Sequence, residues 1–304
     1  MINPKIILRN LTQFVLINLI KWLRPILDSK IMLFSRFMAS DRANYLVKES
    51  IGTYILHPKD IAVSRRIYIG MNDEYLKTIK AIEWAERLRG GGGWKPMLLD
   101  IGANIGHISI PLVLGKFVSN AVAIEPDPDN YKLLNCNVIL NGLEDKVILH
   151  NLALGVLPNE TLEFELSEDN YGDHRIKVSK EQGLYQEADR KVLQVKSTNL
   201  DTLLTPALQA RDILLWIDVQ GYEGAVLAGA SLLLNNKPAI GIEFWPYGLH
   251  RANGFDNLMT ALSGYDVFYD LSLDQQVEVP IKKLKEMYVK NTKNDSFMMD
   301  ILFV

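Results

Sequence analysis

Short apolar runs ending in polar residues alternate along this chain with segments of helical period. Met97 to Ile101 leads into the glycine turn Gly102 to Gly106, Ala121 to Glu125 ends in an acid, and Val147 to Asn151 ends in an amide. Ordered signals resume with Val192 to Val195 and a helix near Leu200. Ile213 to Ile217 then runs into Asp218, and Ala239 to Ile242 into Glu243. Runs of this length and composition, separated by helical segments, predict a parallel sheet buried on both faces, with helices covering it. Between the second and third strands Asp127 caps a helix, Pro128 opens it, and Asn141 with Gly142 closes it. Its inward face is Tyr131, Leu134 and Val138, with Cys136 as a small core residue. A helix over Tyr222 to Leu234 turns Val226, Leu227 and Ala230 to the sheet. A strand near Val267 to Tyr269 and the run Phe297 to Val304 predict an antiparallel hairpin at the sheet edge.

Upstream, β-like runs at Gly52 to Leu56 and Ile67 to Ile69 precede a helical pattern from Asn72 to Leu88, and Gly90 to Gly93 breaks the chain. This divides it into an extension over 1–94, helix-rich and then carrying short strands and a helix, and an α/β domain over 95–304. The polar stretch Glu168 to Lys191 is too long for an ordinary connection and reads as a lid or as disordered filler.

Composition narrows the picture. With 304 residues and 48% hydrophobic content the chain can bury a large core. A net charge of -3 offers no counterion-release argument for nucleic acid, so the expectation is no nucleic-acid partner. The single cysteine excludes an intrachain disulfide and suits a reducing compartment, which places the protein in the cytoplasm. Near the N-terminus Ile7, Leu11, Phe14, Val15 and Trp22 recur at helical spacing between cationic residues. The charge-free stretch, Asn10 to Ile20, is too short to span a bilayer. A peripheral membrane contact through this helix is one reading, and a helix packed on its own domain or on a partner is the plainer one.

Candidate chemistry gathers at the strand tips, because ligands of open α/β sheets bind outside the carboxyl ends of the strands. Those tips carry Asp100, Glu125, Asn151, Asp218 and Glu243. The glycine turn discriminates among nucleotides: Asn104 stands where the dinucleotide pattern needs its second glycine, and no Lys-Ser or Lys-Thr follows Gly106 as a P-loop requires. The spacing acid-x-Gly-x-x-x-Gly of Asp100, Gly102 and Gly106 suits S-adenosylmethionine, with Glu125 positioned to accept hydrogen bonds from ribose hydroxyls. An ordinary strand-to-helix turn in an unrelated α/β domain is the alternative. No spacing of His, Cys or carboxylates reads as a metal site.

The stretches LLDIGANIGHISIPL, AVAIEPDPDNYKLLNCNVILNG, ILHNLALG, LLWIDVQGYEGAVLAGA and IGIEFWP resemble, in order, the motifs of the FkbM family of S-adenosylmethionine-dependent methyltransferases. The resemblance covers Lys95 to Pro246. It implies a class I methyltransferase, Rossmann-like, with a seven-stranded, mostly parallel sheet, helices on both faces, and here a helical N-terminal extension. It further implies Asp100, Gly102, Asn104 and Gly106 around the methionine portion, Glu125 on the ribose, Asn151 and Ala153 near the adenine, and Asp218 facing sulfonium and acceptor. Gln220 stands where family members often have Glu. The general base is left among Asp218, His174 and Glu243. His174 lies in Asn170 to Arg175, a segment similar to the N-x-G-D-x-R of family members, and His107 is not taken as the base. The aromatic cluster Phe244, Trp245 and Tyr247 either stacks on a sugar or belongs to the core. The expected reaction is O-methylation of a sugar, glycolipid or small natural product, with a small-molecule or glycan acceptor as partner. A non-catalytic partner protein of the same fold and an NAD-dependent sugar-modifying enzyme are the alternatives.

Overall fold

A computed structural model describes residues 45–206 and 212–304. The N-terminal helix and its membrane contact lie outside these residues. No helix among the described residues is long and apolar enough to cross a membrane.

The chain enters through an antiparallel hairpin of β1 (Tyr45–Glu49) and β2 (Gly52–Leu56), followed by α1 (Val63–Tyr68) and α2 (Asp73–Leu88). The apolar run at Ile67 to Ile69 is therefore helical and not a strand. Val63 and Ile67, four apart, are both buried on one helical face, and three apolar residues alone cannot separate the two periods. Then come β3 (Met97–Ile101), α3 (Ser109–Leu114), β4 (Asn120–Ile124), α4 (Pro128–Leu140) and β5 (Val147–His150). Asp127 caps α4 by accepting from the backbone N–H groups of Asp129 and Asn130.

After β5 the chain builds a second, four-stranded sheet from β6 (Ala153–Leu154), β7 (Glu160–Leu166), β8 (Arg175–Ile176) and β9 (Lys191–Thr198), in the order β6-β9-β7-β8. It returns to the main sheet with β10 (Ile213–Ile217), β11 (Ala239–Phe244), β12 (Val267–Asp270), β13 (Glu278–Pro280) and β14 (Met299–Phe303). The main sheet runs β13-β12-β14-β11-β10-β3-β4-β5. Its five strands from β11 to β5 are parallel, whereas β14, β12 and β13 pair antiparallel. Eight strands replace the expected seven because Glu278–Pro280 adds an outer strand to β12, and its proline sits where no further ladder bond is required. β12 and β14 do pair antiparallel, but β14 is inserted against β11 and β13 forms the edge.

Adjacent residues of each central strand face opposite cores. Leu98 and Ala121 pack with Tyr54, Ile67, Trp84 and Leu134 on one side, so residues of the 45–94 segment share a core with the sheet. Leu99 and Val122 pack with Leu215, Val226 and Leu258 on the other. The helix expected over Tyr222 to Leu234 is split into Glu223–Ala228 and Ser231–Leu234. A Cβ at Gly229 would lie 2.2 Å from the Gly155 carbonyl oxygen, so the chain bends there against the smaller sheet. Cys136 is exposed, since the inward face of α4 is Leu133, Leu134, Asn137 and Val138.

Asn137 docks the hairpin. Its Oδ1 accepts from the Ile55 N–H at 2.6 Å, and its Nδ2 donates to the carbonyls of Ile105 at 3.0 Å and Ile55 at 3.3 Å. Asn141, one turn on, exchanges two bonds with the Thr53 backbone. Asn137→Ala removes three hydrogen bonds, of which the one to the Ile105 carbonyl is fully buried, and is expected to cost about 3 kcal/mol, read as a drop of several degrees in the melting midpoint. An unchanged midpoint would show the hairpin to be docked by its apolar contacts alone.

Candidate functional site

Sheet order reverses at β3, which lies between β4 and β10, and this switch point opens a crevice at the carboxyl ends of the strands. Gly102 makes the crevice possible. At φ +91° it leaves β3 in a conformation that favours glycine, and a Cβ there would lie 1.9 Å from the Asp218 backbone oxygen. The Gly102 and Ala103 N–H groups both donate to the Ile124 carbonyl, which pins the turn to β4.

A cavity open to solvent lies beside this turn, lined by Gly102, Asn104, Glu125, Ala153 and Asp218 together with apolar Leu152. Glu125 is buried, and each of its oxygens accepts a backbone N–H at 2.8 Å, one from Asn104 and one from Asp127. Burial pushes its carboxyl up to about 8, the nearby Asp127 charge adds to this, and the two amides oppose it. A crevice with a carboxylate on one wall and aliphatic side chains on another fits a nucleoside with a free diol.

Three residues expected around the cofactor line neither this cavity nor its neighbour. Asp100 is buried and accepts from the Ser109 hydroxyl, tying β3 to α3. Gly106 permits close packing, since a Cβ would meet Ile110 at 2.7 Å and Leu134 at 2.9 Å. Asn151 is exposed and straps the backbone, donating to the carbonyls of Glu125 and Pro126.

The polar stretch between β7 and β9 is an ordered cover, not filler. Asp173 pairs with Arg175 and Arg190, and Arg251 reaches Glu187 at 3.2 Å. The Tyr171 carbonyl accepts from Asn104 and Asn130, which closes the segment over the glycine turn. His174 belongs to this fastening. Its Nδ1 lies 2.7 Å from Asp127 Oδ2, an ion-pair approach without hydrogen-bond alignment, and its Nε2 lies 3.2 Å from the Ser167 carbonyl, so both nitrogens have protein oxygens beside them. His174 lines the first cavity but not the second, and is withdrawn as a general base on that geometry. Phe244, Trp245 and Tyr247 are buried and belong to the core.

The second cavity shares Gly102, Asn104, Gly172 and Asp218 with the first, so the two spaces meet along the glycine turn. Its far wall carries Gln220, Glu243, Glu74, His107 and Arg66. Gln220 Nε2 donates to Asp218 Oδ1 at 2.6 Å and to Glu243 Oε2 at 2.9 Å, so one neutral amide spans two acids. Burial and the charge of Glu74 push Asp218 up to about 8. Burial and the charge of Asp218 push Glu243 well above the usual carboxylate range. Glu74 behaves oppositely: burial opposes its ionisation, but His107, Arg66 and Lys77 hold it well below that range. Glu74, His107 and Gln220 stand in this wall although sequence reasoning gave none of them a role there. His107 adjoins Gly106, which offered a signal, whereas the partnership of Glu74 with a residue 33 positions away has no local signature.

Comparison with known proteins gives this geometry a family. An 80-residue stretch is 38% identical to the tRNA(Phe) (4-demethylwyosine(37)-C(7)) aminocarboxypropyltransferase of Pyrococcus horikoshii, which covers 25% of this chain and 28% of that protein. The chain thus spans under a third of that relative. Among solved structures, TYW2 of M. jannaschii in complex with AdoMet is 11% identical with TM-score 0.42, covering 87% of this chain and 85% of that one. TYW2 of P. horikoshii in complex with MeSAdo is 12% identical with TM-score 0.39, covering 87% and 70%. The expectation of no nucleic-acid partner is overturned by the tRNA-modifying relative, because a charge summed over the whole chain does not describe one binding face. Residues 100–266, more than half of the chain, match the family described as Methyltransferase FkbM domain. They contain the glycine turn, the candidate ribose carboxylate and the switch-point crevice, and on that match this chain belongs to the FkbM methyltransferases, whose cofactor is S-adenosylmethionine.

Proposed function

We propose that the protein methylates a hydroxyl of a sugar, glycolipid or other small natural product. The observation that carries this reading is the junction of the two cavities along Gly102, Asn104, Gly172 and Asp218, which gives a donor and an acceptor one shared boundary. The cofactor supplies an electrophilic methyl group on a positively charged sulfur. Glu125 would hold its ribose, Leu152 and Ala153 its adenine, and Asp218 the boundary where the methyl group is exposed. The chain's own work is to align an acceptor oxygen for in-line attack and to exclude water. The acceptor wall suits hydroxyl groups, because Asp218 and Glu243 bring to it carboxyl oxygens that accept hydrogen bonds. Residues 95–304 form the transferase domain in this reading, and the 1–94 extension walls the acceptor side through Arg66 and Glu74.

Calorimetric titration with S-adenosylhomocysteine, with NADH as control, tests the donor side, and labelled methyl donor offered with glycans, glycolipids and bulk tRNA tests the acceptor. Micromolar binding of S-adenosylhomocysteine alone and label on a glycan or glycolipid hydroxyl are expected. Label on tRNA alone would replace the acceptor class, and binding of NADH alone would remove the reaction.

A further inference from the structure

We propose that His107, oriented by Glu74, is the general base that accepts the acceptor's hydroxyl proton; this rests on the methyltransferase reading. His107 is buried, at 6% exposure, and lines the acceptor cavity together with Asp218, Gln220 and Glu243. Its Nε2 lies 2.6 Å from Glu74 Oε2. The other Glu74 oxygen receives Arg66 at 2.5 Å, so that carboxylate is held from both sides. The His107 carbonyl accepts from Asn72 Nδ2 at 2.6 Å, and Asn72 caps α2, the helix that carries Glu74 in its first turn. Base and orienting acid therefore move as one piece.

The remaining ring nitrogen points to a ligand. His107 Nδ1 is buried without any hydrogen-bond partner in the protein. An unsatisfied buried nitrogen of this kind costs about 1–3 kcal/mol; the protein encloses Nδ1, so the bound acceptor must open the wall at that atom to place its O–H there. With the Nε2 proton donated to Glu74, Nδ1 carries the lone pair, as a base requires. As the acceptor oxygen bonds to the methyl carbon, the carbon–sulfur bond breaks and its electron pair stays on sulfur. The hydroxyl proton passes to Nδ1, and the imidazolium so formed is stabilised by Glu74. Asp218 and Glu243, joined by Gln220, accept hydrogen bonds from the acceptor's neighbouring hydroxyls and so orient the reacting one.

The charges facing His107 come from three elements: Glu74 on α2, Asp100 on β3 and Asp218 after β10. Burial pushes the imidazole down, but Glu74 leads these acids in raising it above the ordinary histidine value. The same ion pair could instead be a permanent structural one, and the two differ in tautomer and titration.

Long-range ¹H–¹⁵N NMR of histidine-labelled protein, saturated with S-adenosylhomocysteine and followed from about pH 5 to 9.5, separates them, with His107→Gln assigning the signal among five histidines. A neutral form protonated on Nε2, with a midpoint that falls in Glu74→Gln, is expected. A neutral form protonated on Nδ1, or an imidazolium persisting to pH 9.5, would overturn the assignment. Against the acceptor found in the methyl-donor screen, His107→Gln should lose roughly 10²–10⁴-fold in kcat with S-adenosylhomocysteine affinity unchanged. A kcat within threefold of the parent at every pH would equally overturn it. Failure of the parent to bind S-adenosylhomocysteine would remove the cofactor reading as well, so the two failures are distinct.

Discussion

Gly102→Ala is expected to abolish measurable S-adenosylhomocysteine binding. The φ of +91° disfavours any L side chain, and the new Cβ would fall 1.9 Å from the backbone oxygen of Asp218. No side chain can rotate away to relieve this contact, because the obstacle is main chain. β3 and β10 are parallel neighbours up to Ile101 and Ile217, and the Asp218 N–H donates to the Ile101 carbonyl at 3.0 Å. The clash must therefore be relieved by separating two central strands or by rebuilding the turn. Either change displaces the shared wall of both cavities, and destabilisation on the order of 3 kcal/mol is expected. Calorimetry together with the melting midpoint checks this. A folded Gly102→Ala protein that bound S-adenosylhomocysteine within threefold of the parent would show that the turn can relax and that its geometry does not define the site.

The central strands were legible because burial on both faces leaves little else in the sequence: Met97 to Ile101 and Ile213 to Ile217 have the boundaries their apolar runs imply. The capping of α4 by Asp127 was equally local. Of the smaller sheet only the Val192 to Val195 run was read, although Glu160 to Leu166 alternates Leu162, Phe164 and Leu166 with acids in the manner of a strand with one face buried. At the site, residue type at a strand tip marked the crevice but not which side chains line it. Asp100 and Asn151 have the right chemistry and point it at Ser109 and at backbone carbonyls. His174 was drawn to the base role by its chemistry, and only its two protein contacts redirect it. The Glu74–His107 and Gln220–Glu243 pairs join residues 33 and 23 positions apart, and tertiary contact alone brings them together.

Glu125→Ala should weaken S-adenosylhomocysteine roughly a hundredfold or more, since a diol on this carboxylate makes two charge-assisted hydrogen bonds of about 1.5–3 kcal/mol each. The loss has a pH signature whose sign follows from burial. The Glu125 carboxyl is pushed up to about 8, so in the free protein it holds its proton through neutrality, and a diol that donates to both oxygens requires the ionised form. Affinity in the parent is therefore expected to rise with pH up to about 8, by at most tenfold per unit, and to level off above it. Folding responds with the opposite sign: a carboxyl raised above its unfolded value favours the free fold most below about pH 4, and this contribution is lost as pH rises through about 8. The melting-point gain from added S-adenosylhomocysteine should consequently be larger at pH 8.5 than at pH 6.5 in the parent, with this pH difference reduced in Glu125→Ala. Equal gains at the two pH values in the parent, or affinity in Glu125→Ala within threefold of it, would place the ribose elsewhere and leave Glu125 as a strut between the Asn104 and Asp127 amides.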